Sequence, residues 1–503
     1  MTVFRHGVAS GDPLQDRVVL WTRISTDDRA AIPVSWWLAR DPEGTDVVAG
    51  GETRATAEAD HTVHVDVGGL SSGTRYWYGF EAAGERSPVG RTLTLPDGHV
   101  EQLRFAQCSC AKFNSGFFNA YGRIADRDDL AFVLHLGDYI YEASQTPPAS
   151  QTPGADIGRP FEPRNECVTL ADYRTRYAQY HADPDTRRMH AAHPIIATVD
   201  DHEFADGAWR GGSDEHKPDR DGSWEDRKAA AFRARWEWTP SRPPDPADLT
   251  RVFRSMRIGD LVELILIDTR SRRDQTARFE EMAKPTRSQL GAEQAAWLHE
   301  ALGRHDTRWI VLGNGSVLSP LWRDGFPDAV LPGLLALKLV HKDGKGPDTD
   351  QWDGYPAERA SIVEAIGRRP GDVVVLSGDV HVGIAAELSA DPYGDHRPVA
   401  VEFVTSSLTS QNLDDKMGWQ PRTQSLGIEQ ELLSGWPHIQ WLDLDSHGYV
   451  VIEVTPDRVS AQWWFVDSVL ESTDGEWRAA EFMAERGRPK LVRVHWEQPA
   501  GGG

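Results

Sequence analysis

This 503-residue chain has few cysteines, no long apolar run and no excess of positive charge. Each of these absences excludes a class of protein. Its three cysteines, Cys108, Cys110 and Cys167, are too few for a disulfide framework. No apolar run reaches the roughly 18 residues that a membrane span needs. The formal net charge of −23 argues against stable association with nucleic acid or with an anionic membrane. We therefore expect a globular protein with neither partner.

The start of the chain bears on location. Sequence typical of a folded domain begins within a few residues of Met1, so we expect no signal peptide before the first domain. Two locations stay open: the protein is intracellular, or it is secreted or periplasmic after removal of an export segment. The length predicts two or more domains, or one large core with an accessory domain.

The first hundred residues have the pattern of an all-β domain. Turn signals such as GDP and DPEG separate five strand-like segments, which are residues 18–24, 34–40, 61–67, 75–83 and 90–96. We predict an N-terminal sandwich of immunoglobulin or fibronectin type over residues 1–98. From residue 99 to residue 503, apolar strands alternate with helical patterns before a β-rich tail, which predicts an α/β catalytic domain.

One stretch of this second domain, AFVLHLGDYIYE, organises the rest. An apolar run over residues 131–136 ends at Gly137, and Asp138 and Tyr141 follow. In open α/β sheets, ligands bind just beyond the carboxyl ends of such strands. Tyrosine has a free pKa of about 10, so an ion that takes Tyr141 must be strongly Lewis-acidic, such as Fe³⁺. The alternative is that Asp138 caps a helix and Tyr141 belongs to the core.

The pattern recurs at other strand ends. Four ends carry potential ligands: Cys108 and Cys110, then Asp138 and Tyr141, then residues 200–203, then Asp379 and His381. In one parallel sheet these ends would converge on one edge, where carboxylates packed together are costly without cations between them. Two metals about 3.5–4 Å apart generate hydroxide at neutral pH and clamp the oxygens of an in-line displacement. The predicted reaction is therefore hydrolysis of a phosphate ester by metal-bound hydroxide.

The motifs GDYIYE, DDHEF and GDVHVG, in this order, resemble those of the PhoD-type alkaline phosphatases and phosphodiesterases of the calcineurin-like metallophosphoesterase superfamily. The resemblance extends along almost the whole chain, through HGVASGDP, IDTRSRRD and DQWDGYPAER. It implies an α/β metallophosphoesterase core of sheets flanked by helices. It also implies a phosphatase or phosphodiesterase that holds one Fe³⁺ and one or two Ca²⁺ ions. Its substrate would be a small phosphate ester, with a lipid or nucleotide diester among the candidates.

The resemblance also implies roles for individual residues. Asp138 would bridge the metals, and Tyr141 would bind Fe³⁺. A strand-end cysteine would be a further iron ligand. Counting back six residues from Gly116, as the C-x₅-G pattern of the family suggests, selects Cys110, with Cys108 as the fallback.

The remaining predicted metal ligands come from two later strand ends. They are Asp200, Asp201, Asp379 and His381, and the aspartates among them are oxygen ligands of the kind that suit calcium. Asp206 stands where the family pattern has Asn, which leaves its role as a ligand open.

Beside the bridging Asp138, His202 is the predicted catalytic residue, acting as general acid or as a donor to a phosphate oxygen. Its alternative is a structural histidine behind the ligands. Four arginines could supply a phosphate fork or could simply be solvated: Arg159, Arg164, Arg174 and Arg176. Cys167 is expected to be a small buried apolar residue.

Two alternative functions accompany this prediction. Related sequences include phospholipase D-like diesterases, so the same chemistry could act on diesters of that kind. The other alternative is a non-catalytic binding protein whose metals only stabilise it.

Overall fold

The computed structural model describes residues 2–145, 157–277, 279–369 and 371–496. These residues form three sheets, and the largest has ten strands. Across it in order lie β22 (Arg488–Trp496), β21 (Glu476–Glu485), β20 (Arg458–Val466), β19 (Gly448–Val454), β9 (Leu103–Cys108), β10 (Val133–His135), β11 (Ile195–Ala197), β1 (Val8–Gly11), β2 (Arg17–Arg23) and β5 (Thr62–Gly68). Its central strands β9, β10 and β11 are parallel.

The second sheet has seven strands and the third has five within the described residues. The order of the second is β12 (Arg254–Ile258), β13 (Val262–Leu266), β14 (Trp309–Gly313), β15 (Val373–Ser377), β17 (Pro398–Val404), β16 (Gly383–Ser389) and β18 (Ile439–Asp443). The third contains β4 (Val47–Ala55), β3 (Ile32–Ala39), β6 (Arg75–Ala82), β7 (Glu85–Arg86) and β8 (Gly90–Leu93), with β8 paired to β6.

Helices lie between the strands of the second and third quarters of the chain and near its end. They are α1 (Asn119–Ala125), α2 (Leu170–Ala182), α3 (Pro184–Ala192), α4 (Pro218–Asp221), α5 (Trp224–Trp238), α6 (Phe279–Met282), α7 (Gly291–Leu302), α8 (Leu331–Ala336), α9 (Pro356–Ile366), α10 (Leu413–Met417) and α11 (Ser425–Gly435). Among the described residues, no helix is both long and apolar enough to cross a membrane.

The two large sheets pack face to face. Phe105 and Leu134 of the ten-stranded sheet share one buried apolar core with Leu264, Val311 and Leu376 of the seven-stranded sheet. Residues of α1, α2 and α5 cover the outer face of the first sheet, and residues of α7 and α9 cover that of the second. The central strands β11, β14 and β15 are buried on both faces, and their sequences are accordingly almost entirely apolar. The expectation of one parallel sheet is therefore wrong: two sheets contribute the strand ends.

The N-terminal strands form the predicted sandwich. All five predicted strands are present, together with three more: β1 and β4 lack the alternation that would have revealed them, and β7 has only two residues. The five-stranded sheet packs on β2 and β5 around a core that includes Leu20, Val34 and Phe80. Strand β1 also lies parallel to β11, with Gly11 opposite Ile195, so one layer of the sandwich continues the large sheet. The domain boundary at residue 98 stays a prediction.

Helix α2 supports the loops that leave the large sheet. Thr169 and Asp172, three positions apart in the sequence, form a capping box at its start. The face with Tyr173, Tyr177 and Tyr180 is buried. The hydroxyl of Tyr180 accepts a hydrogen bond of 3.1 Å from the backbone N–H of Tyr141, which fixes the loop that follows β10.

Candidate active site

Side chains from several strand ends meet at one edge of the two-sheet core. Donor atoms lie within 4.8 Å of one another in three groups: Cys110, Asp138 and His381; Asp138, Asp201 and His202; and Asp138, Asp200, Asp201 and Asp379. Asp138 belongs to all three groups, and it is almost completely buried. Two sheets therefore deliver one continuous cluster, in which Asp138 is the residue common to all three groups.

The backbone bends sharply at these strand ends. Four non-glycine residues have a left-handed conformation there: Cys110 (φ 61°), Asp138 (φ 55°), Asp379 (φ 68°) and His381 (φ 59°). Each such residue costs of the order of 1–3 kcal/mol, and residues of this kind concentrate at functional sites. The fold thus accepts backbone strain at the positions that aim these four side chains inward.

Glu203 joins the loop after β10 to the loop after β11. Its buried carboxylate accepts backbone N–H bonds from Asp138 (3.0 Å), Tyr139 (2.6 Å) and Asp200 (2.6 Å). Burial raises the pKa of Glu203 to about 7, although these three donors act to lower it. This role is not evident from the sequence, where Glu203 is simply one of three acidic residues in DDHEF. Glu203 holds the two ligand-bearing loops in register.

The first group mixes sulfur, nitrogen and oxygen donors. The hydroxyl of Tyr141 donates to Asp138 Oδ2 (2.8 Å) and lies 3.4 Å from His381 Nε2. His381 Nδ1 lies 3.1 Å from the carbonyl oxygen of Gln411. That carbonyl can only accept, so Nδ1 carries the proton and Nε2 keeps a lone pair that faces the group. Burial lowers the pKa of His381 well below 6.5, which keeps the ring neutral.

The two neighbouring cysteines lie in different places. Cys110 is within the first group, whereas Cys108 ends β9 opposite His135 and belongs to none of the three groups. Burial, helped by Asp138 and Asp379, raises the pKa of the Cys110 thiol well above 9. A thiolate at Cys110 therefore needs a cation beside it. The position of Cys110 in the first group agrees with the count back from Gly116, which selects Cys110 over Cys108. The role of Cys110 as a ligand stays a prediction.

Arg270 occupies the middle of the acidic group. Its fully buried guanidinium donates to Asp200, Asp350 and Asp379, the last at 2.5 Å, and lies 3.7 Å from Asp201. Nothing within IDTRSRRD itself indicates this role for Arg270. Its position four residues beyond the end of β13 was the available signal.

One guanidinium does not compensate the cluster. Arg270 faces Asp200, Asp201 and Asp379, while Asp138 lies on the far side of the group. Burial raises the pKa values of Asp138 and Asp200 well above 3.8, and neighbouring carboxylates add to the shift. Such an excess of buried carboxylate is stable when cations share it. The residues present therefore fit bound metal ions.

His202 is held from behind by a second carboxylate. Its Nδ1 lies 2.7 Å from Glu142 Oε2, and its ring stacks on Tyr141 with centroids 4.1 Å apart. Burial acts to lower the pKa of His202, but Glu142, Asp138 and Asp201 outweigh it and raise that pKa well above 6.5. The buried Glu142 was not singled out from the sequence. Glu142 orients the ring of His202, and the raised pKa of His202 suits it to be an acid beside Asp138.

The other residues considered from sequence lie outside the three groups. Asp206 is half-exposed, and its carboxylate lies 3.8 Å from Lys338 Nζ. Arg159 pairs with an aspartate, Arg174 pairs with a glutamate, and Arg176 donates to backbone carbonyl groups. Each of these three arginines therefore has partners within the protein itself. Cys167 is buried, as predicted.

The model of the PhoD-like phosphatase family matches residues 105–463, and the model of the N-terminal domain of that family matches residues 1–96. The chain belongs to the PhoD-like phosphatase family. Alkaline phosphatase D of Bacillus subtilis (strain 168) is 33% identical over 515 residues, which cover 98% of this chain and 82% of that protein. A solved structure described as "Structure of PhoD" has a TM-score of 0.87 at 32% identity, covering 100% of this chain and 94% of that one.

Membership of the PhoD-like family confirms several predictions. The protein is a hydrolase of phosphoesters, with the predicted mixed α/β fold and an N-terminal domain of strands. The alternative of a non-catalytic binding protein is therefore not retained. The three donor groups, in a family of phosphatases, make the strand-end cluster the candidate metal site.

Proposed function

We propose that the protein hydrolyses phosphate monoesters, phosphodiesters or both at the Asp138 cluster, with Fe³⁺ and Ca²⁺ as its metals. The observation that carries the proposal is that Asp138 is shared by all three donor groups. A carboxylate in that position can bridge two cations. This geometry supports the bridging role that the family resemblance implies for Asp138.

The donor types divide the cluster between two metals. Cys110, Tyr141 and His381, with Asp138, offer a thiol, a phenol, an imidazole and a carboxylate. Sulfur and imidazole donors suit transition metals, and a phenolate suits Fe³⁺ in particular. The geometry of the cluster does not distinguish iron from other transition metals. The choice of iron rests on the resemblance to the family.

Calcium fits the other side of Asp138. Asp138, Asp200, Asp201 and Asp379 form an all-oxygen set of the kind that Ca²⁺ prefers. Arg270 already takes one side of Asp200 and of Asp379, so these two carboxylates would be shared between the guanidinium and the cation. One or two calcium ions are proposed for this set.

Bound metal ions would lower the pKa of a coordinated water and withdraw charge from phosphoryl oxygens. The protein itself supplies orientation and a proton. His202, raised in pKa by Glu142, can donate a proton to the leaving-group oxygen or a hydrogen bond to a phosphoryl oxygen. Glu203 fixes the backbone from which Asp138 and Asp200 project. The phospholipase D-like alternative stays a prediction beside the monoesterase and general diesterase activities.

Metal analysis of the purified protein, alongside assays with p-nitrophenyl phosphate and bis-p-nitrophenyl phosphate, tests the proposal. We expect iron and calcium to copurify and at least one substrate to be hydrolysed. Asp138→Asn should lose metal and reduce turnover on the order of 10³-fold or more, because metal activation of water is removed. Asp12→Asn is the matched control, since Asp12 is also buried with positive φ but pairs with Arg254 away from the cluster. An active protein free of both metals would contradict the proposal.

A further inference from the structure

Lysine is rare in this chain, and its distribution is uneven. The sequence has nine lysines against 45 arginines. Three of the nine stand around the candidate active site, on three separate segments: Lys112 in the loop after β9, Lys338 after α8, and Lys416 on α10. We refer to these three residues as the lysine cluster. Such a concentration of a rare residue at the site of a strongly acidic chain calls for a physical reason.

Each member of the cluster is tied to a residue of the site. Lys112 Nζ lies 5.7 Å from the ring centroid of Tyr141. Lys338 Nζ lies 3.8 Å from a carboxylate oxygen of Asp206, whose backbone N–H binds Glu142 behind the catalytic histidine. Lys416 belongs to the short helix that begins two residues after Gln411, the residue whose carbonyl orients His381. The three lysines are therefore carried by three separate segments that border the site.

The lysine cluster makes few direct ion pairs. Within the described residues, neither Lys112 nor Lys416 forms an ion pair, and the Lys338 pair is long, with a side chain that is 71% exposed. Burial, together with the nearby Lys338 and Lys112, lowers the pKa of Lys416 to about 8. The segments that carry the three lysines are in contact, because the Thr409 hydroxyl, just before α10, donates to the carbonyl oxygen of Lys112 (2.9 Å) and α10 packs against α8. An anion bound between these segments would reduce the repulsion among the three cations.

A simpler role would be to balance the acidic cluster. Asp206, Asp350 and Asp201 do raise the pKa of Lys338. In the proposed function, however, cations already compensate the buried carboxylates. The positive charge of Lys112, Lys338 and Lys416 is then left over for an anion that arrives with the substrate. A lysine ammonium on a flexible stem is a suitable point-charge ligand for phosphate.

We propose that Lys112, Lys338 and Lys416 bind a second phosphate group of the substrate, carried by the leaving group. This inference rests on the proposed function and adds the substrate class: phosphate esters whose leaving group is itself phosphorylated. The scissile phosphate is held at the Asp138 cluster, and the second phosphate lies at the rim, between the three segments that carry the lysines. The lysine cluster is thus a determinant of specificity, and the chemistry at the scissile bond does not depend on it.

Two substrates that share one scissile bond test this inference: AMP and adenosine 3′,5′-bisphosphate, with release of the 5′-phosphate measured for both. The metal-loaded wild-type protein should have the higher kcat/KM for the bisphosphate, mainly through KM, and the advantage should shrink as salt is added. Lys112→Met, Lys338→Met and Lys416→Met should each reduce the ratio of the two kcat/KM values about three- to tenfold. Lys490→Met, on the edge strand β22, should leave the ratio unchanged.

Conservative variants and three outcomes complete the test. Lys416→Arg should keep most of the preference, because it keeps the charge, which separates loss of charge from loss of structure. A wild-type protein without preference for the bisphosphate would overturn the inference. Methionine variants that lose activity equally on both substrates would also overturn it, since the lysines would then act on the scissile phosphate or on folding. Hydrolysis of none of AMP, the bisphosphate and p-nitrophenyl phosphate would overturn the proposed function and this inference with it.

Discussion

Gly137 links β10 to Asp138, and its replacement by alanine is the sharpest test of how the backbone builds the site. Gly137 has φ of 108°, a conformation that side chains rarely adopt. An added Cβ would lie 2.5 Å from Asp200 Cβ and 2.6 Å from the Asp200 backbone nitrogen. Ordinary contact begins at 3.4 Å. The loops that carry Asp138 and Asp200 would therefore have to separate by about 0.9 Å in a closely packed region.

That displacement sets the expected magnitude. A misplacement of about 1 Å at a catalytic group can cost about 10²-fold in rate. Overpacking adds about 1–3 kcal/mol to the cost in stability, and the left-handed backbone adds about 1–2 kcal/mol. We expect Gly137→Ala to lose about 10²-fold or more in kcat for p-nitrophenyl phosphate and to retain less metal.

The chain offers a matched control for the steric part. Gly69 also has positive φ, at 76°, but an added Cβ there meets nothing within 4 Å. Gly69→Ala should therefore show only the backbone cost, as a small fall in thermal midpoint with normal activity and metal content. If Gly137→Ala kept its metal and stayed within tenfold of Gly69→Ala in kcat, the argument from close approach would be refuted.

Three further changes probe other contacts. Cys110→Ala should remove iron and most activity, whereas Cys108→Ala should cost about 1–3 kcal/mol in stability and leave the iron in place; metal analysis showing the reverse would contradict the assignment. Glu142→Gln should slow hydrolysis about 10- to 10²-fold, and more for esters with poor leaving groups, because His202, the proposed acid, loses its carboxylate partner; equal rates would contradict that role. His447→Gln should lower stability by about 1–2 kcal/mol at pH 5.5 and less at pH 9, measured by thermal unfolding. Asp415, 3.1 Å away, outweighs burial and holds the pKa of His447 above 6.5, so the stabilisation is complete below 6.5 and disappears as the pH rises through the folded-state pKa; a pH-independent loss would contradict it.

Local features of the fold were predictable from sequence because they depend on neighbouring residues. The capping box at Thr169 and Asp172 and the proline at the first position of α9 follow from spacing alone. The strand before Gly137 was predictable because both of its faces are apolar. The division of the strands between two packed sheets was not, since each central strand has the same apolar pattern in either arrangement.

The candidate site, too, could be predicted only in part from the sequence. The strand ends that carry Asp138, Asp200 and Asp379 could be located from their motifs, and the structure brings these side chains together. The partners that hold them could not be found in this way. Arg270 meets Asp200 across 70 positions of the chain, and Glu203 binds backbone groups 64 and 65 positions away. Spacing within a motif carries no information about such pairs.

We expect a transition metal to lie where the strand ends converge on Asp138. Anomalous diffraction at the iron absorption edge, from crystals of the active protein, tests it most directly. The account predicts an iron peak bounded by Cys110 Sγ, the Tyr141 hydroxyl, Asp138 and His381 Nε2. An active protein with no iron peak, or with its iron outside these four residues, would contradict the account.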